Sequence, residues 1–196
     1  MSKKPSANAT KPKSAGNTGT AGLTDVATLR SNARKNIDKG AITDTYSADR
    51  ATVIKLLNEA LATEYVCVLR YYRHYFMASG MLADSVKAEF LEHAQQEQAH
   101  ATMIAERIVQ LGGEPDLNPD TLTKRAHAEY KEGKDLRDMV KEDLIAERIA
   151  IDSYREMINY IGDRDTTTKR ILEHVLAQEE EHADEFADLL NGWIGK

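Results

Sequence analysis

Glu97-Gln98-Ala99-His100 and Glu179-Glu180-Glu181-His182 are the two tetrapeptides on which the reading of this chain turns. Each lies inside a long run of helical periodicity. Each also follows a lone glutamate on an otherwise apolar face: Glu64, 33 positions before Glu97, and Glu147, 32 positions before Glu179. Residues three apart share one side of a helix, so each tetrapeptide presents a carboxylate and an imidazole to the same point. Two such helices and two further carboxylates make a donor set of four Glu and two His. That set suits a pair of iron or manganese ions better than a single zinc. One Glu or His on an inward stripe is ordinarily a paired core group. An unpaired buried carboxylate, however, costs several kcal/mol, and four in one layer demand cations.

The spacing repeats as a unit. Tyr71 follows Glu64 by seven positions and Tyr154 follows Glu147 by seven. The chain therefore reads as two α-hairpins, each carrying Glu, Tyr and Glu-x-x-His in that order, able to pack about a pseudo-twofold axis. Four long helices are predicted, over about 48–77, 82–111, 135–161 and 166–191. Their inward stripes, at steps of three and four, run through Ile54, Leu57, Leu61, Glu64, Val68, Tyr71 and Tyr75 on the first. On the second they pass through Val86, Phe90, His93, Glu97, His100, Ile104 and Ile108. Val140, Leu144, Glu147, Ile151, Tyr154 and Ile158 mark the third; Leu172, Val175, Glu179, His182, Phe186, Leu189 and Trp193 mark the fourth. Ser47 or Asp49 can cap the first helix. Gly112-Gly113 stops the second, and Pro115 and Pro119 prevent a restart. Short turns at 78–80 and 162–165 make each helix pair antiparallel. The link at 112–134 is long enough to run back along a helix of about 40 Å, making the second and third helices parallel. Residues 121–131 can form a short helix within it. The expected fold is all-α: a four-helix bundle with one long crossover.

Composition excludes several classes. The 196 residues are 41% apolar and 30% charged, ordinary for a helical globular domain. No window approaches the roughly 20 apolar residues of a membrane span, and no apolar stretch follows the first lysines as a signal peptide requires. A single cysteine, Cys67, rules out an internal disulfide framework and points to the cytoplasm. Net charge is −6, but residues 1–40 hold eight Lys/Arg against Asp25 and Asp38, so they carry +6 and the remainder −12. Residues 1–40 thus read as a flexible basic arm and 41–196 as the bundle. The first 22 residues have no periodic apolar face, the mark of a disordered segment. A cationic arm of this kind binds DNA phosphates without reading sequence, with affinity that falls steeply in salt. The alternative is a solvated tail with no partner.

Other candidates read more plainly. Tyr154, like Tyr71, suits packing with a satisfied hydroxyl. His74 and His93 suit ordinary surface or packing roles, although His93 lies one turn from Glu97. His127 and His174 read as solvated, Cys67 as inert core, and Trp193 as packing at the bundle mouth or a subunit contact.

The segment Leu57-Asn58-Glu59-Ala60-Leu61-Ala62-Thr63-Glu64 resembles the first helix of bacterioferritins, and the resemblance continues through Glu97 and His100. It spans about residues 48–192. One Glu from each of two helices plus Glu-x-x-His from each of the others is the established pattern of ferritin-like di-metal carboxylate proteins. The resemblance implies that Glu64, Glu97, His100, Glu147, Glu179 and His182 are ferroxidase ligands holding two iron ions, with Glu97 and Glu179 bridging. Tyr71 matches a tyrosine beside that site, able to hydrogen-bond a bridging ligand or donate an electron. Haem-binding members carry methionine where this chain has Gln98, so haem is not expected. The sequence ends at Lys196, without the fifth helix that accompanies 24-subunit shells. The basic arm and the small crossover helix resemble instead the DNA-protecting mini-ferritins (Dps). The combination resembles the Dps-like group that carries a bacterioferritin-type site within one bundle and forms 12-subunit hollow shells. Some members have a cysteine pair near the site; this chain has only Cys67. The implied activity is oxidation of Fe(II) by O2 or H2O2 with storage of Fe(III) mineral, in the cytoplasm or on the nucleoid. The alternatives are a di-metal peroxidase or manganese catalase without storage, and a nucleoid DNA-binding architectural protein.

Overall fold

Residues 22–193 are described by the computed structural model of the chain, which divides into one unit up to Ile37 and another from Asp38 onward. In the first, within the segment read as a basic arm, Val26–Asn32 form a seven-residue helix, α1. The reason is local. Asp25 caps it, accepting from the Thr28 amide at 3.0 Å and the Thr28 hydroxyl at 2.6 Å, and no residue of α1 is buried. The expected lack of structure at 1–21 falls outside the described residues.

The second unit holds α2 (Arg50–Met77), α3 (Ala83–Gln110), α4 (Leu122–Arg125), α5 (Leu136–Ile161) and α6 (Thr166–Trp193). Aspartates open three of them. Asp49 rather than Ser47 caps α2 through Thr52, Asp135 caps α5 through the Asp138 amide at 2.9 Å, and Asp165 caps α6 through the Thr168 amide at 3.0 Å. Each satisfies an amide that the first helical turn leaves unpaired and places negative charge at the positive end of the helix dipole. Gly112, at φ +73°, ends α3, and Gly162, at φ +54°, ends α5; that left-handed backbone is open to glycine without steric penalty.

Side-chain pairings fix the directions. Tyr71 reaches Glu147 while Tyr154 reaches Glu64, so α2 and α5 run antiparallel. His93 meets Glu185, Gln96 meets His182 and His100 meets Gln178, so α3 and α6 also run antiparallel. With α2 and α3 joined by a short turn, α3 and α5 are parallel, and the crossover returns along α2. It is tied there in order: Asp116 N to Asn58 Oδ1 at 2.7 Å, Arg125 Nη1 to Asn58 O at 3.0 Å, His127 N to Thr63 Oγ1 at 2.9 Å, and Arg70 Nη1 to Glu129 O at 3.0 Å. The short helix expected within 121–131 is the single turn of α4.

The apolar core has two halves. Leu57, Leu61, Ile104, Ile108, Ile161, Leu172 and Val175 fill one; Tyr71, Val86, Phe90, Ala94, Val140 and Phe186 fill the other. Complete burial of a Leu, Ile or Phe stabilises the fold by about 1.5–3 kcal/mol. The stripe of α5 is rotated from the expected one: Asp143 and Met157 are buried, whereas Leu144 and Ile158 are only partly so. Asp143 can turn inward because Arg70 Nε and His74 Nδ1, both at 2.7 Å, satisfy its two oxygens. His74, expected in an ordinary surface or packing role, is wholly buried and also bonds Lys131 O at 3.0 Å. This buried trio joins α2, α5 and the crossover. Among the described residues no helix is long and apolar enough to cross a membrane.

Candidate metal centre

Between the two apolar halves lies a polar layer in which Glu64, Glu97, His100, Glu147, Glu179 and His182 are each at most 2% exposed. Each of the four long helices contributes to it. On α3 and α6 the i, i+3 spacing puts Glu97 beside His100 and Glu179 beside His182; α2 and α5 each supply one carboxylate. His100 Nδ1 lies 3.2 Å from Glu64 Oε2, 3.3 Å from Glu179 Oε1 and 3.7 Å from Glu97 Oε2. His182 Nδ1 lies 3.3 Å from Glu97 Oε1, 3.6 Å from Glu179 Oε2 and 3.7 Å from Glu147 Oε2. Two donor groups result: Glu64, Glu97, His100 and Glu179; and Glu97, Glu147, Glu179 and His182. They share Glu97 and Glu179, so the helix pair with the tetrapeptides occupies the bridging position between them.

Protons balance the charge when no metal is considered. Burial first, then the charges of Glu97 and Glu179, push the Glu64 carboxyl well above its usual range; burial with Glu97 and Glu147 does the same to Glu179. Burial acts on Glu97 and Glu147 too, but polar neighbours reverse it: Glu64, His100 and His182 around Glu97, and His182 and Glu179 around Glu147. Both carboxyls are held low. The histidines behave conversely. Burial opposes their charge, yet Glu147, Glu179 and Glu97 push His182 up to about 12, and Glu179, Glu64 and Glu97 raise His100 far above its usual value. These directions keep protons on the layer, where they offset carboxylate charge.

The same donors fit a pair of divalent ions. Four carboxylates and two neutral imidazoles would balance two such ions. Glu97 Oε1, Glu179 Oε1 and His182 Nδ1 are buried without a hydrogen-bond partner. Buried polar atoms are nearly always paired, so three left without a hydrogen bond in one layer point to a cation as the missing partner. Carboxylate oxygen with imidazole nitrogen is the donor chemistry of iron and manganese.

Two residues around the layer escaped the sequence reading. Gln178 Oε1 faces His100 Nε2 at 2.8 Å and Gln96 Oε1 faces His182 Nε2 at 2.5 Å. Each glutamine thus holds the far nitrogen of the opposite helix's imidazole and leaves Nδ1 for the layer. Their signal was present, since a Gln precedes the Glu of both tetrapeptides. Tyr154, read from the sequence as packing with a satisfied hydroxyl, places that hydroxyl on a carboxylate of the layer. Tyr71 Oη donates to Glu147 Oε1 and Tyr154 Oη donates to Glu64 Oε1, so the two phenols have equivalent places. Tyr71 contacts Glu147, a carboxylate outside the shared pair. Cys67 is buried beside Arg70, Nη2 to Sγ 3.7 Å, and burial pushes its thiol up despite that guanidinium. His127 and His174 are exposed.

Known proteins share the fold of this chain. A family model described as a ferritin-like domain matches residues 54–193. Bacterioferritin of Rhodobacter capsulatus is 30% identical over 136 residues, 68% of this chain and 80% of that protein. The nutrient stress-induced DNA-binding protein of a Synechococcus strain is 30% identical over 139 residues, 68% of this chain and 78% of its own length. Among solved structures, the dodecameric thioferritin of Bacteroides fragilis, described as bacterioferritin-related, superposes with a TM-score of 0.73. It is 33% identical, with 76% of this chain and 89% of that one covered.

Proposed function

The chain belongs to the ferritin-like family, and on that premise we propose that it is a ferroxidase that stores the iron it oxidises. Fe(II) is the substrate, and Glu64, Glu97, His100, Glu147, Glu179 and His182 are its ligands. The carrying observation is the buried layer itself: two four-donor groups that overlap in Glu97 and Glu179. Two Fe(II) ions there supply one electron each, which together with two protons reduce O2 to H2O2 or H2O2 to two waters. The protein residues do the rest. Glu97 and Glu179 keep the two ions close, the glutamines orient the imidazoles, the two phenols hold the outer carboxylates, and the apolar halves keep bulk water out. No haem is proposed, and manganese remains compatible with the donors.

A 12-subunit shell and mineral storage are supported by the dodecameric thioferritin and the bacterioferritin relatives. An acidic body favours this, because acidic surfaces concentrate Fe(II) and seed mineral. The single cysteine supports a cytoplasmic location, and the name of the Synechococcus relative supports DNA as a partner for the basic arm.

The test is iron retained per chain after aerobic Fe(II) loading and gel filtration, with a Glu97→Ala/His100→Ala control. Many irons per chain in a large assembly, formed slowly in the control, are expected. About two irons per chain, the capacity of one di-metal centre, would replace storage by a di-metal peroxidase or catalase. Loading that is equally fast in the control would remove the layer from the reaction.

A further inference from the structure

His93, Glu89 and Glu185 play no part in the reading above, yet they meet. His93 on α3 is 1% exposed, and its Nε2 stands 2.7 Å from Glu185 Oε2 on α6. Glu89 lies one helical turn before His93, and one donor atom from each of the three lies within 4.8 Å of the others. This is not a surface cluster of acids. The imidazole is buried against Phe186, edge to face at 4.7 Å, and its Nδ1 has no hydrogen-bond partner, so His93 is not a satisfied core histidine. Two carboxylates brought to one imidazole nitrogen repel each other, and a proton or a cation among them makes their approach favourable. Burial, then the charge of Glu185, raises the Glu89 carboxyl. The cluster also opens to solvent. A groove of about 490 Å³ between the start of α3 and the end of α6 is lined by Glu89 and Glu185 together with Asp188, Val86 and Trp193.

We propose that Glu89, His93 and Glu185 form a separate site for one divalent cation of the iron, manganese or zinc type. An imidazole and two carboxylates are the donors such ions take. Three protein donors leave coordination positions open to water, so the ion exchanges with the groove. Glu185 reaches it from a half-exposed position, its side chain 44% exposed, and can swing onto an incoming ion. The His93 ring stacks on the His182 ring at 4.0 Å and 21°, so the site adjoins the six-residue layer but shares no ligand with it.

The test uses the full-length, metal-free protein and Co(II) as the probe, counted per chain by equilibrium dialysis with the visible absorption recorded. Glu89→Gln and Glu185→Gln keep side-chain size and lie where solvent reaches, so both should fold. Each is expected to bind one ion fewer than the wild-type chain, with the absorption of the remaining ions unchanged. Wild-type stoichiometry in both variants would overturn the proposal. So would loss of an ion accompanied by altered bands from those that remain, since the ion would then belong to the shared layer. Failure of the di-metal reading alone is distinguishable: the wild-type chain would hold one ion and both variants none.

Discussion

The phenol of Tyr71 on α2 donates to Oε1 of Glu147 on α5, and the same contact is made in reverse by Tyr154 and Glu64. Each hairpin therefore secures the outer carboxylate of the other. Helix pairing and carboxylate placement are a single feature in this protein, because the residues that join α2 to α5 also frame the centre between them.

Tyr71→Phe and Tyr154→Phe should consequently behave alike. Each removes the sole phenol from one outer carboxylate, and loss of such a supporting contact typically lowers metal affinity or activity by about 10–100-fold. Stopped-flow absorbance of Fe(II) oxidation should show both variants slowed within that range. A large loss in one and none in the other would mean that the twofold equivalence does not extend to the reaction.

The glutamines predict a chemical distinction. Gln96→Leu and Gln178→Leu remove the acceptor on Nε2, so each should weaken Co(II) binding by about 10–100-fold. Gln96→Glu and Gln178→Glu retain an acceptor and should stay near wild type. Equal losses in the Leu and Glu variants would show that the glutamines act through size alone.

Stability should depend on pH differently with and without metal. His182 is raised from an ordinary 6.5 to about 12. A raised folded-state value contributes stability that is full below the unfolded value and is lost as pH climbs through the folded one. The metal-free chain should therefore melt at progressively lower temperature between pH 7 and 10. His100 is shifted the same way and adds to the trend. With Mn(II) bound, the ions replace those protons, so the decline should vanish and metal affinity should increase with pH. Melting curves of both forms across that range decide the matter; a metal-free melting temperature that rises with pH contradicts the assignment.

Asp143 offers a structural test away from the iron chemistry. Asp143→Ala leaves Arg70 buried without its carboxylate, a defect worth about 3–5 kcal/mol. Chemical denaturation should show that loss, and hydrogen exchange should quicken around 129–131, where Arg70 and His74 hold the crossover. A change below 1 kcal/mol would mean that the trio contributes little to the fold.

Deletion of residues 1–40 removes a net charge of +6. DNA band shifts by the intact protein should weaken steeply as salt rises and disappear on deletion. A shift that persists at high salt, or without the arm, rules out electrostatic binding by this segment.

Periodicity and the repeated tetrapeptide were enough to determine the four long helices, their order, the crossover and the six residues of the layer, because i, i+3 and i, i+4 spacing is set by helix geometry and unpaired acids are penalised on an apolar stripe. Asp143 on the buried face of α5 could not be read that way. A charged residue beside Leu144 looks outward until Arg70 and His74, some 70 positions earlier, are seen to satisfy it. His74, the matched roles of Tyr71 and Tyr154, the cross-helix glutamines and the meeting of Glu89, His93 and Glu185 were likewise decided by the packing of helices against one another. Local spacing says which face of a helix a residue occupies. Which partner waits across that face depends on the distance and rotation between helices, and only the tertiary structure supplies those.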